Sequence, residues 1–172
     1  LNNITARVAY QFESYTAIEK LIDNQETKIA SIPAIQPISN KQLNRIASGF
    51  GYRIHPIYGI AKMHSGLDFT APQGTPIYAT GDGVVRTAGM STGTGNHVVI
   101  NHGYGYETEY MHMVRIKARA GQRVKRGEVI GWVGSTGAST GPHVHYEVHI
   151  NGNPVDPVYF FFNDLTAEQY DR

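Results

Sequence analysis

Cysteine is absent from these 172 residues, tryptophan occurs once, and neither sign of charge dominates, with 15 basic against 14 acidic side chains. Without cysteine there is no disulfide framework and no thiolate metal site, so any metal must be held by histidine and carboxylate. A formal net charge of +1, with the basic residues scattered, excludes the clustered basic face of a nucleic-acid-binding protein. No stretch approaches the roughly 20 apolar residues needed to cross a bilayer, and no secretory leader is legible at the start. The chain opens on Leu1 rather than Met and reads as part of a longer, exported protein.

What is present is enough for one ordinary domain and an appendage. Ile4, Val8, Phe12, Tyr15, Ile18 and Ile22 recur at helical spacing, so residues 1–30 are predicted to form one long helix. Its apolar stripe calls for a partner, such as a second helix, another subunit or a larger scaffold. Pro33 and Pro37 end the helical pattern, and residues 31–47 read as an extended linker. From residue 48 to 162 the texture changes to short β-type runs, HVVINH, YETEYMHM, EVIGWV and HVHYEVHI, separated by glycine turns. That pattern predicts a mainly antiparallel β domain with a groove over its sheet. Asp156-Pro157 opens a short closing helix, Asp as cap and Pro in the first turn, and residues 163–172 form a tail with a weak Thr166–Gln169 capping box.

Eight histidines carry the chemistry that can be read from the chain. His64 and Asp68 stand four apart around Ser-Gly-Leu, and His143-Val-His145 lies inside a strand-like run. Side chains two apart on a strand project to one face, so His143 and His145 point into the same space. A catalytic zinc takes three ligands from His, Asp and Glu and leaves a fourth position for water. His64, Asp68 and one histidine of the pair supply such a set, and the other histidine then sits beside the water as a general base. Spacing alone leaves open which of the two is the ligand.

Four segments, FGYRIHPIYG, MHSGLDFTAPQGTPIYATGDGVV, GNHVVINHGYGYETEYMHM and GQRVKRGEVIGWVGSTGASTGPHVHYEVHINGNPVDP, resemble in order and spacing the lysostaphin-type, or LytM-like, zinc endopeptidases. The resemblance covers about residues 48–160. It implies a half-barrel β fold, one Zn²⁺ held by His64, Asp68 and His145, and His112 and His143 as catalytic histidines. It implies peptidoglycan peptides as substrate and a periplasmic or extracellular place in the cell envelope. Members of that family divide between pentaglycine bridges and direct D-alanyl–diaminopimelate crosslinks, and the absence of a visible wall-targeting domain favours the direct crosslink.

Arg53 and His55, near the first motif, are candidate substrate contacts, Arg53 through a carboxylate of an acidic stem peptide. The glycine runs 89–95 and 134–141 are expected to wall the groove. His97 and His102 take the default reading of exposed strand and turn residues, while His149 shares a face with His145. Two other classes compete with the enzyme: a catalytically silent regulator that binds cell wall or a partner hydrolase, and a carrier module. The hairpin VKRGEVIGWVGSTG resembles those of biotinyl and lipoyl carriers, but the Met-Lys-Met tip such a carrier needs is missing.

Overall fold

A computed structural model describes residues 2–54 and 61–163. The chain separates into two compact units, one ending at Ala30 and one beginning at Ser31. The first is a single helix, α1 (Asn2–Ser31), with the Thr16 and Thr27 hydroxyls bonded back to carbonyls one turn earlier. Phe12, Tyr15, Ile18 and Ile22 of its apolar stripe are all exposed. Among the described residues no helix is long and apolar enough to cross a membrane.

Among the described residues the second unit is built from thirteen strands. In chain order they begin with β1 (Arg45–Ser48), β2 (Gly51–Ile54), β3 (Ala61–His64), β4 (Leu67–Thr70) and β5 (Pro76–Tyr78). The long strands β6 (Gly83–Ser91), β7 (Gly95–Gly103) and β8 (Tyr106–Met113) follow, with β9 (Arg115–Ile116), β10 (Arg123–Val124) and β11 (Val129–Trp132) after them. Strands β12 (His143–Ile150) and β13 (Asn153–Val155) precede a 3-10 turn at Pro157–Asn163. The Val158 amide donates to the Asp156 carboxylate at 3.0 Å, so Asp156 caps that turn as its spacing predicts. The proposed Thr166–Gln169 capping box lies outside the described residues.

The main sheet runs β1-β4-β12-β8-β7-β6-β10, with β13 also paired to β12 and every pairing antiparallel. Strands β5-β11-β9 form a second sheet and β2-β3 a separate hairpin. Side-chain alternation assigns the two faces of β12. Val144, Tyr146 and Val148 enter the core with Phe69, Ile77, Val98, Ile100, Tyr110 and Ile130, while His143, His145, Glu147 and His149 take the other face. An apolar face this densely packed fixes the register, because a one-residue slip would turn the histidines into the apolar core and the valines towards the groove.

Residues 31–47, expected as an extended linker, belong to this packing. Ala34 and Ile38 are buried, Ala34 N–H donates to the Thr80 carbonyl, and Tyr78 N–H donates to the Pro37 carbonyl. The prolines do keep the segment out of helix, but its apolar side chains find non-local partners that a local reading cannot see. Strand β1 then places Ser48 opposite Asp68 on β4, bringing the backbone of Gly49 to the first histidine motif.

Candidate metal centre and flanking histidines

Strand pairing assembles the centre. Asp68 lies directly opposite His145 in the β4–β12 register, and the tight turn between β3 and β4 folds His64 over the same spot. Gly66 allows that turn, since a Cβ there would overlap the carbonyl oxygen of Tyr146. His64 Nε2, His145 Nδ1 and Asp68 Oδ1 form a triangle with edges of 3.1, 2.8 and 3.2 Å. All three side chains are largely sheltered from solvent.

The outward-facing nitrogens set the tautomers. His64 Nδ1 donates to the Gly49 carbonyl at 2.6 Å, which leaves Nε2 as a bare acceptor. His145 Nε2 donates to Glu147 Oε1 at 2.9 Å, which turns the lone pair of Nδ1 into the triangle. With both imidazoles neutral, three acceptors converge with no proton between them, so the set needs either a proton on His145 or a cation. Burial pushes the His145 pKa down, but hydrogen bonds to Asp68 and Glu147 outweigh it and raise it to about 9. Burial also works against the Asp68 carboxylate, yet hydrogen bonds with His145 and His64 hold it well below the usual carboxylate range. Two nitrogens and one carboxylate oxygen at this spacing fit a divalent ion of the zinc class, with the fourth side open to the groove.

Glu147 is the support the sequence reading missed. It is 6% exposed, and its carboxylate also takes the Ser65 hydroxyl and His149 Nε2, the latter at 2.6 Å. Burial works to raise its pKa, but hydrogen bonds from His145, His149 and Ser65 hold it well below the usual range. One carboxylate thus ties β12 to the turn that carries His64. The period-two step from His145 to Glu147 to His149 was the available signal.

His143 and His112 stand beside the triangle. His143 Nδ1 donates to the Gly141 carbonyl at 2.8 Å, and its Nε2 comes within 3.8 Å of Asp68 Oδ1. His112 Nδ1 donates to the Thr136 carbonyl at 2.8 Å, so both rings keep an Nε2 lone pair. Their centroids are 4.8 Å apart, and that of His112 is 6.4 Å from His145. Burial lowers the pKa of His112, with the neighbouring His143 adding to it and the Thr136 carbonyl opposing. His112 adopts φ 63°, a left-handed conformation that a non-glycine residue takes at a cost, and its amide donates to the Thr94 carbonyl.

The two glycine runs interlock to hold that conformation. Gly95 lies so close to Thr136 that a Cβ would overlap the Thr136 backbone, and the Ala138 amide donates to the Gly93 carbonyl. Gly93, Thr94 and Ala138 line a cavity of about 330 Å³ together with His64, His112, His145 and Glu147. Arg53 and Lys62 line it too, and Arg53 Nη2 is 3.8 Å from Asp68 Oδ2. His55 lies outside the described residues.

Neither His97 nor His102 is exposed as the default reading expects. His97 is half-buried, with Nδ1 2.9 Å from the Thr94 hydroxyl. His102, expected in an exposed turn, is instead 4% exposed, because the final turn of β7 folds it over the Asp82 carbonyl and the Thr108 hydroxyl.

Residues 62–157 match the peptidase family M23. A 114-residue stretch is 54% identical to the DD-carboxypeptidase/endopeptidase Mpg of Neisseria meningitidis serogroup B, covering 66% of this chain and 26% of that protein. The crystal structure of a zinc-containing peptidase from Vibrio cholerae aligns with TM-score 0.67 and 43% identity, over 70% of this chain and 37% of the other. The catalytic domain of lysostaphin from Staphylococcus simulans aligns with TM-score 0.63 and 35% identity, over 70% of this chain and 92% of that domain. The chain spans about a quarter of the length of the curated relatives it matches. Taken with the strand order and the histidine–aspartate triangle, these matches establish that the chain belongs to the M23 peptidase family.

Proposed function

We propose that this chain is a zinc-dependent endopeptidase that hydrolyses peptide crosslinks of peptidoglycan in the cell envelope, its chemistry residing in residues 48–162. The observation that carries the reading is the convergence of His64 Nε2, Asp68 Oδ1 and His145 Nδ1 within 3.2 Å of one another, with the rings of His112 and His143 beside them. The names of related proteins support the substrate class, since several are peptidoglycan DD-endopeptidases of Vibrio cholerae.

A zinc ion bound by the three ligands supplies a Lewis acid that polarises a peptide carbonyl and acidifies water. The chain's own residues do the rest. His143, anchored through Nδ1 to Gly141, brings Nε2 within 3.8 Å of Asp68 Oδ1 and takes the proton of the attacking water. His112, held neutral by burial and anchored to Thr136, lines the cavity with its ring beside those of His143 and His145. It orients the nucleophile and steadies the carbonyl oxygen as negative charge develops. The glycine loops admit an extended peptide backbone along the groove. The exposed stripe of α1 serves self-association or docking to a larger scaffold.

The test is metal analysis of the purified chain, followed by mass spectrometry of muropeptides released from directly crosslinked and pentaglycine-bridged walls. One zinc per chain, with dimers converted to monomers from directly crosslinked wall, is the expected result. Zinc bound without release from either wall would favour a silent regulator.

A further inference from the structure

Beyond the metal triangle, the cavity holds two cations whose placement the fold itself does not reward. Arg53 and Lys62 are directly opposite each other in the β2–β3 hairpin, and both line the cavity. Like charges in directly paired cross-strand positions destabilise a hairpin. Among the described residues neither cation has a close acidic partner. Arg53 reaches Asp68 only at 3.8 Å, and among the described residues Lys62 has no ion pair. The acids nearby are committed elsewhere: Asp68 Oδ1 faces His64 and His145, and Glu147 is shared by His145, His149 and Ser65. A guanidinium and an ammonium thus share one rim of the cavity with most of their donors unspent.

We infer that Arg53 and Lys62 form a carboxylate-recognition site that selects substrates bearing a free carboxylate close to the scissile bond. This inference rests on the peptidase reading of the same cavity and deepens it to a substrate class. The planar fork of Arg53 can take a carboxylate through two parallel hydrogen bonds, and Lys62 adds a point charge beside it. Because Arg53 is within 3.8 Å of Asp68, an anion held there lies next to the reacting bond rather than at a remote subsite. The hairpin retains a like-charge pair because the anion that neutralises it arrives with the substrate.

Synthetic crosslinked peptides test this directly. Each carries a carboxylate on the residue contributing either the amine or the acyl side of the scissile bond, and each is compared with its carboxamide. The wild-type protein is expected to favour the carboxylate form of one arm by about tenfold or more in kcat/KM, the worth of a hydrogen bond to a charged group. The arm that shows the preference identifies which side of the bond is read. Arg53→Gln combined with Lys62→Gln should bring that ratio close to one. Lys62→Glu gives an independent reading, because it replaces repulsion with a cross-strand ion pair. Its Tm should hold or rise while the carboxylate preference falls. Equal cleavage of acid and amide by the wild-type protein would overturn the inference and leave the peptidase reading standing. Cleavage of neither form, in a protein shown to hold zinc, would overturn both. A ratio unchanged in the double variant and in Lys62→Glu would assign the preference to other residues and overturn the inference.

Discussion

The two faces of β12 both bury polar groups, and they bury them in opposite states of completion. On the core face the Tyr146 and Tyr110 hydroxyls both lie 2.9 Å from the Thr80 hydroxyl, and Thr108 lies 3.1 Å from Tyr110. His102 continues the line, with Nε2 2.7 Å from Thr108 and Nδ1 2.8 Å from the Asp82 carbonyl. The Thr108 hydroxyl and the Thr80 amide both donate to the Tyr110 oxygen, so each hydroxyl from Tyr146 to Thr108 has a partner within the core. On the groove face two imidazoles and a carboxylate meet in a set that only a proton on His145 or a cation can complete. Both clusters are buried and rich in histidine or tyrosine. Hydroxyls that partner one another mark a structural network, and ligand atoms that converge on one point mark a site fit for a cation.

The largest way to break the comparison is to remove a corner of the triangle. His64→Ala and Asp68→Ala should each abolish stoichiometric zinc binding and all wall hydrolysis, measured by metal analysis and muropeptide release. Next come the flanking histidines. His112→Ala and His143→Ala should keep zinc while kcat falls about 10²- to 10⁴-fold, the usual span for losing a proton-transfer group. Loss of zinc from the His143 variant with retention by a His145 variant would reverse their assignment.

The core-face network answers to acid instead. Burial pushes the His102 pKa down to about 4, only partly opposed by the Asp82 carbonyl, against about 6.5 for the exposed side chain. Between those values the unfolded chain binds a proton that the folded chain refuses. Its contribution to stability is therefore complete above pH 6.5 and is lost as pH falls towards 4, by about 3 kcal/mol in total. Denaturant titrations of the metal-free protein across this window should show the loss. In His102→Gln that part of the slope should disappear.

The strands, the two histidine motifs and the Asp156 cap were legible because alternation and four-residue spacing are local. His143 and His145 share a face by strand geometry alone, whereas the choice of His145 as ligand came from the family resemblance. Three features were hidden because they are made by distant pairing. The burial of Ala34 and Ile38 depends on Thr80 and Tyr78, and that of His102 on Asp82 and Thr108. The role of Glu147 depends on Ser65, eighty-two positions away. Nothing within a short window of sequence distinguishes a strand glutamate facing solvent from one that braces a metal ligand.

Glu147 offers the finest test of the contrast, because it lies on the groove face but is itself fully partnered. Groups that orient a metal-ligating histidine typically contribute 10- to 100-fold in metal affinity. Glu147→Ala should therefore weaken zinc binding by about that factor in competition with a chromophoric chelator, without abolishing it. Glu147→Gln keeps an oxygen for His145 Nε2 and should recover part of the loss. The visible spectrum of the cobalt-substituted protein should shift in Glu147→Ala and return towards wild type in Glu147→Gln. An alanine variant with wild-type affinity and an unchanged cobalt spectrum would mean that Gly49 and the β4–β12 register hold the triangle unaided. The carboxylate would then serve only to fasten β12 to the Ser65 turn.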